Sequence, residues 1–299
     1  MIDLKKFKIV KYIILLFVIC SCNQTEKHKG EKINNFELKQ KEPKKTTLDT
    51  YWNDYSFTDT LAIKDPEVSE QRFVNFISLF PYNDLKEVKT SIENLLRLSE
   101  KNKKVFIFFK EQYAHYLADP NSPLRNDLYY EYVLSYLANS LANTETERSR
   151  YQMQLEMIQK NQIGMQITDF SYLDSKGNIK KLSDMTGKAC LLLFYDPSCP
   201  HCKDILKELK SSQVLNNLIS FQKLSVIAID PLGDKALWKE YQPMIPNNWI
   251  NGFDYADTLI KKQLFSIKAY PTIYLTNNQG TILLKDPDYQ VVLNLLQRM

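Results

Sequence analysis

Cysteine, histidine and glycine are scarce in this chain: five, three and seven among 299 residues. Cys20 and Cys22 close an N-terminal apolar run, Cys190 stands in a strand-like segment, and Cys199 with Cys202 is the remaining pair. A scaffold stapled by disulfides is excluded, because no second pair exists to build it. Only His28, His115 and His201 could offer imidazole, and His115 has no metal-ligand partner three or four residues on. A basic stripe is also missing. Most of the formal charge of +4 belongs to Lys5, Lys6, Lys8 and Lys11 against a lone Asp3, and the rest is close to neutral. Nucleic acid is therefore not an expected partner. The apolar run Tyr12 to Ile19 is too short to span a bilayer as a mature helix.

What is present divides into four parts. Residues 1–22 read as a targeting segment: lysines, a short apolar run, then Ile19-Cys20-Ser21-Cys22. Residues 23–50 are rich in Lys, Glu, Gln, Asn and Thr and read as a flexible polar tether with a reach of roughly 30 Å. Residues 51–161 show helical periodicity throughout. Phe73, Phe76, Ile77 and Phe80 recur at i, i+3, i+4, i+7 between Pro66 and Pro81; Leu85, Val88, Ile92 and Leu95 make another stripe. Leu124 to Leu141 is apolar or aromatic on much of its circumference, as expected of the central helix of a bundle. Thr144 with Glu147 is a capping box opening the last helix. The aromatic stripes read as core rather than as a ligand groove, and no catalytic constellation is visible here.

From 162 to 299 the texture changes to short strands and turns. Five glycines (Gly177, Gly187, Gly233, Gly252, Gly280) fall where turns or loops are expected. Ile167–Leu173 and Ile179–Leu182 form a hairpin; Ala189 to Tyr195 and Leu224 to Ile229 are continuously apolar, as in strands buried on both faces. A helix follows from Pro200, another from Asp234 to Tyr241, then a second hairpin around Asn277 to Gly280. A last helix starts at Asp286-Pro287. The order is hairpin, β, α, β, α, hairpin, α, an α/β sheet covered on both faces.

Asp196-Pro197-Ser198-Cys199-Pro200-His201-Cys202 follows the first buried strand and opens a helix. At i and i+3 on a first helical turn the two sulfurs share a face, near enough for disulfide geometry. The helix N-terminus presents unpaired N–H groups and a partial positive charge, which favours thiolate over thiol. Pro200 fits the first turn, where its missing donor costs nothing. Cys190 reads as a small buried apolar residue.

These marks resemble the thioredoxin fold, and more closely the TlpA/ResA-like branch of extracytoplasmic thiol–disulfide oxidoreductases. The resemblance rests on Gly164 through Asp169-Phe170, Leu182-Ser183-Asp184, Gly187-Lys188, the buried strand, Cys199-Pro200-His201-Cys202 and Tyr270-Pro271-Thr272. It implies a thioredoxin-like α/β domain with a central mixed sheet, preceded by an all-α helical domain of a kind seen with TlpA-like modules. It implies Cys199 as attacking thiolate, Cys202 as resolving thiol, and Pro271 as a cis-proline where the Tyr270 backbone docks substrate. Pro200, His201 and Asp196 are supporting residues. No cofactor is implied beyond the redox-active Cys199–Cys202 disulfide, and no metal.

Two departures stand out: Ser198 replaces a common tryptophan, and Leu193 replaces the buried carboxylate six positions before the first cysteine. Asp196 is either its substitute or a turn residue. Pro200-His201 is the dipeptide of DsbA-like oxidants, whereas the framework suggests a reductase recharged by a membrane redox partner. The expected function leans to reductase on protein thiol and disulfide substrates. Oxidant or isomerase is the alternative, and a binding lipoprotein acting through the helical domain is the alternative of another class. A peroxiredoxin is not expected, because Leu192 and Asp196 stand where its proline and threonine or serine would be. The leader resembles a lipobox, which implies lipidation at Cys22 and a site in the cell envelope; Asn23 after it, in place of an inner-membrane retention aspartate, implies the periplasmic face of the outer membrane.

Overall fold

Side-chain caps start most helices of the N-terminal half, and aromatic stripes hold them together. The computed structural model describes residues 47–185 and 187–299. The leader 1–22 with Cys22, and most of the tether, lie outside the described residues. The helices are α1 Gln71–Ile77, α2 Leu85–Ser99, α3 Lys103–Tyr113, α4 Asp127–Asn139 and α5 Glu145–Ile158. Asp84, Asn102 and Asn126 accept the first free N–H groups of α2, α3 and α4, and Thr144 with Glu147 forms the expected capping box on α5. Phe73, Phe76, Phe80, Phe109 and Tyr113 are fully buried, so the aromatic stripes are core. Helix α4 packs between α2 and α5.

One boundary moves. Leu48, read as tether, is buried on a short helical turn Leu48–Thr50, and Trp52, Tyr55 and Phe57 follow it into the same core. Trp52 meets Phe109 edge-on at 5.3 Å, and the Arg72 guanidinium stacks over its ring. The polarity of the tether as a whole masks these four apolar anchors at and just beyond its end.

The C-terminal half is one seven-stranded mixed sheet in the order β2-β1-β5-β4-β3-β6-β7. The strands are β1 Ser171–Asp174, β2 Ile179–Lys181, β3 Ala189–Phe194, β4 Leu224–Asp230, β5 Ile250–Phe253, β6 Thr272–Thr276 and β7 Ile282–Lys285. Strands β3, β4 and β5 run parallel; the others pair antiparallel. All six residues of β3 are buried, as its unbroken apolar run requires. Helices α6 Pro200–Ser211, α7 Gln213–Ser220, α8 Lys235–Tyr241 and α10 Tyr289–Leu296 share a core with Leu191 and Leu193 of β3. The opposite face, carrying Cys190, Leu192 and Phe194, is covered by Phe170, Leu182, Phe265 and the single-turn α9 Thr258–Lys261. Helices thus lie on both faces, very unequally.

Three local readings need correction. Strand β5 was not expected: Ile250-Asn251-Gly252-Phe253 is too short and polar to announce itself, and pairing with β4 and β1 makes it a strand. Gly252 therefore sits in a strand rather than a turn. A Cβ there would lie 2.3 Å from Ile229 Cδ1 and 2.7 Å from Tyr172 Cδ2. The last helix starts at Tyr289 with Asp288 as its cap, because Asp286 adopts a left-handed conformation (φ 47°) that ends β7.

The described residues fold as one compact unit, and polar contacts pin the two halves together. Arg125 pairs with Asp286 at 2.9 Å, and Asp127 pairs with Lys268 at 2.7 Å and Lys285 at 3.7 Å. The Lys285 ammonium also donates to the carbonyls of Ile158 and Lys160 at the end of α5, where a cation is favoured. Asn161 bridges the seam, donating to the Leu264 carbonyl and accepting the Thr168 N–H.

Replacing Gly252 by Ala is expected to destabilise the protein by about 1–3 kcal/mol through overpacking. An unchanged denaturant midpoint would mean that Tyr172 and Ile229 give way freely.

Candidate active site

The site is built where β3 hands over to α6. Tyr195 continues the ladder through its N–H to the Ile229 carbonyl at 3.0 Å. The chain then turns at Asp196, whose Oδ1 accepts both the N–H and the hydroxyl of Ser198 at 2.7 Å. Asp196 is thus engaged as a turn residue. The turn presents Cys199 as the N-cap of α6, with Pro200 at the first helical position. A sulfur takes the capping role usually filled by oxygen: Cys199 Sγ accepts the backbone N–H of Cys202 at 3.3 Å. The Cys199 thiol also faces the Tyr270 carbonyl at 3.7 Å. The Tyr270–Pro271 peptide bond is cis. Cys199, Tyr270 and Pro271, 71 residues apart in the chain, are brought together.

The two cysteines are unequal. Cys199 is half-buried, whereas Cys202 is fully buried among Leu193, Tyr195 and Ile205. Burial pushes the Cys202 thiol well above its ordinary value; the adjoining Cys199 sulfur and Asp196 carboxylate push the same way, while the Asp196 backbone amide opposes them. Cys202 thus holds its proton until something removes it. Pro200 and His201 are both exposed on the first turn of α6. Cys190 points to the opposite face of the sheet, where burial raises its thiol to about 12. Among the described residues no group of three or more His, Cys, Asp or Glu side chains is placed to hold a metal ion.

Sequence reasoning missed one carboxylate. Asp230 ends β4 on the same face as Cys202, and only 1% of its surface is exposed. Its Oδ1 accepts the Leu232 N–H at 2.8 Å, while Oδ2 is buried without a partner. Burial raises its pKa to about 6, aided by the charges of Asp196 and Asp234. The same carboxylate helps raise Tyr270 to about 12, after burial itself. Leu193 is fully buried at the position expected to carry the acid, and Asp230 brings a buried acid from the neighbouring strand. The available signal was a carboxylate ending the apolar run Leu224 to Ile229, at the carboxyl edge of a parallel strand where α/β sites form.

Two family descriptions cover most of the chain: a domain of unknown function, DUF5106, over residues 38–161, and the AhpC/TSA family over residues 163–242. A thioredoxin-like protein from Bacteroides caccae is 34% identical, with a TM-score of 0.81 over 84% of this chain and 91% of that one. The chain belongs to the thioredoxin-like proteins. The C-terminal domain of an uncharacterized Bacteroides fragilis protein is 31% identical over 46% of this chain and 98% of its own, with a TM-score of 0.45. The thioredoxin domain of a thiol-disulfide oxidoreductase from Bacteroides vulgatus is 20% identical over 46% and 96%, with a TM-score of 0.41. No curated protein matches. Within the AhpC/TSA match, Leu192 lies buried on the face away from Cys202 and Asp196 is tied to Ser198, so the threonine and proline that a peroxidatic cysteine needs are not replaced in kind.

An Asp230→Asn variant should gain stability over wild type as pH rises. The native state holds the Asp230 proton more tightly than the unfolded chain, so its contribution is complete below about pH 4 and lost as pH rises through about 6. The gain at pH 8 should be on the order of 2 kcal/mol and vanish near pH 4. Denaturant titrations at the two pH values check it, and a pH-independent difference would refute it.

Proposed function

We propose that this protein is an extracytoplasmic thiol–disulfide oxidoreductase acting on protein substrates, running by preference as a reductase. The observation that carries the reading is the unequal pair: Cys199 reachable at a helix N-cap, with a peptide N–H on its sulfur, and Cys202 buried and protonated behind it. In the reductive direction the Cys199 thiolate attacks one sulfur of a client disulfide. The client S–S bond breaks, a mixed disulfide forms, and the departing client sulfur leaves as thiolate and takes up a proton. The Cys202 thiol then gives up its proton and attacks Cys199 Sγ, releasing the second client sulfur, which is protonated in turn. Two electrons pass from the pair to the client; one of the client's two protons originates on Cys202 and the other is drawn from solvent, which took the Cys199 proton when the thiolate formed, and the Cys199–Cys202 disulfide remains.

Asp230 lies on the same face as Cys202 with a pKa raised to about 6, which suits it to receive the Cys202 proton through solvent or a neighbouring group. The Tyr270 carbonyl beside Cys199 offers a backbone acceptor to an incoming chain. A membrane partner would recharge the pair. The leader argues for delivery to the envelope and lipidation at Cys22, and no described helix is long and apolar enough to cross a membrane.

Cys199→Ala should abolish insulin reduction, whereas Cys202→Ser should accumulate a mixed disulfide with client, visible as a shift on non-reducing gels. Retained turnover in Cys199→Ala would transfer the function to another part of the chain. The reduction potential of the pair should fall near about −270 mV, and a value near about −120 mV would make the protein an oxidant. In cells, Cys22→Ala should abolish acylation and release the protein from the membrane fraction; undiminished membrane association would rule out the lipid anchor.

A further inference from the structure

A cleft of about 1270 Å³ opens between the two halves, beside the redox pair. His201, Tyr270 and Pro271 form the end nearest the cysteines. The far wall comes from the helical half: the turn Pro120–Asn126 and Leu128 at the start of α4, with Ile163 from the connection between halves. We propose that the helical half supplies the second wall of a client-binding groove, accepting an extended polypeptide segment that is uncharged or basic. This rests on the oxidoreductase reading given above.

Size and shape favour a chain over a small molecule. Small-molecule sites run to about 300–1,000 Å³ and close around a few convergent polar groups. This cleft is larger, and its strongest polar groups are already used. Arg125 is held by Asp286, and Lys285 by Asp127 and two carbonyls. Apolar side chains remain free along it: Leu128 is 42% exposed and Ile163 is 64% exposed. Large apolar groups lining a groove beside a reactive thiol fit a partner that covers them in use.

Charge narrows the choice. The cations of the cleft are neutralised within it, while Asp288 stands exposed at its rim, so an acidic segment would be repelled. The walls need no rearrangement to bind, because the ion pairs across the seam already hold them apart at a set spacing, which lowers the ordering cost of association. Continuity completes the case: a segment lying along Leu128 and Ile163 runs on to Tyr270 and Pro271, where its cysteine would meet Cys199.

The test compares wild type with a Leu128→Gln/Ile163→Gln variant, which removes the apolar groups without adding charge, using Leu141→Gln, an exposed position outside the cleft, as the surface control. The substrates are a dodecapeptide with one internal disulfide flanked by Leu, Phe and Lys, and the neutral small disulfide bis(2-hydroxyethyl) disulfide. The double variant should lose about tenfold or more in kcat/KM on the peptide and stay within twofold on the small disulfide. Equal rates on the peptide, or equal losses on both substrates at unchanged thermal stability, would overturn the proposal. A labelled serine-for-cysteine version of the peptide, titrated by fluorescence anisotropy, keeps this separate from the redox reading. Binding that is lost in the double variant without any thiol exchange in wild type would sink the oxidoreductase reading and leave the cleft a polypeptide site. Exchange that proceeds with no binding difference would do the reverse.

Discussion

Strand β3 has no solvent-facing side, and the rest of the C-terminal half is arranged around that constraint. Its six residues are paired to β4 on one edge and β6 on the other, and covered above and below. A strand so enclosed cannot slip in register without driving apolar side chains to the wrong face. The point at which the chain leaves the sheet is therefore settled, and with it the position of Cys199 at the cap of α6. The same pairing brings Thr272, directly after Pro271, opposite Phe194 at the end of β3. Half of the site is thus positioned by a ladder whose own residues take no part in the chemistry.

From that placement the inequality of the two sulfurs follows. The first lies at the cap, half in solvent, with an N–H aimed at it; the second is one helical turn on, facing inward, where the core raises its thiol. Disulfide exchange needs this division, since one sulfur must be reached by a client and the other must wait. The missing carboxylate at Leu193 leaves a fully apolar position on β3, and Asp230 restores a buried acid from the adjacent strand. Leu193 and Asp230 lie on adjacent strands and on the same face of the sheet.

The helical half is joined to this site by charge as well as by chain. Asp127, the first residue of α4, reaches across to Lys268 and Lys285, while Arg125 holds Asp286 just past the end of β7. Lys285 is itself spent on the carbonyls that end α5. The Lys285 ammonium is almost fully enclosed while the Lys268–Asp127 pair lies at the surface, and the main consequence of the set is geometric. They hold the turn before α4 opposite the cis-proline, so that one cleft is shared by both halves.

Much of this was legible in the residues alone. Apolar runs of the right length announced β3 and β4, helical stripes and Thr144 with Glu147 announced the bundle, and the cysteine spacing announced the pair, because each is a local pattern with a local cause. Strand β5 was not legible, since Asn251 and Gly252 carry no strand signal and become one only when Tyr172 packs over a glycine that has no Cβ to obstruct it. Nor was the core role of Leu48, hidden in a polar run. Asp230 could be seen as a residue but not as a buried one, and Arg125, Asp127, Lys285 and Asp286 read as ordinary surface charges until folding set them against each other. Local patterns along the chain suffice for a helical bundle followed by a sheet with a dithiol at a helix entry. Folding alone selects which carboxylate is buried on the dithiol's side of the sheet and which surface faces the pair, because burial and opposition across a seam are properties of residues far apart in the chain.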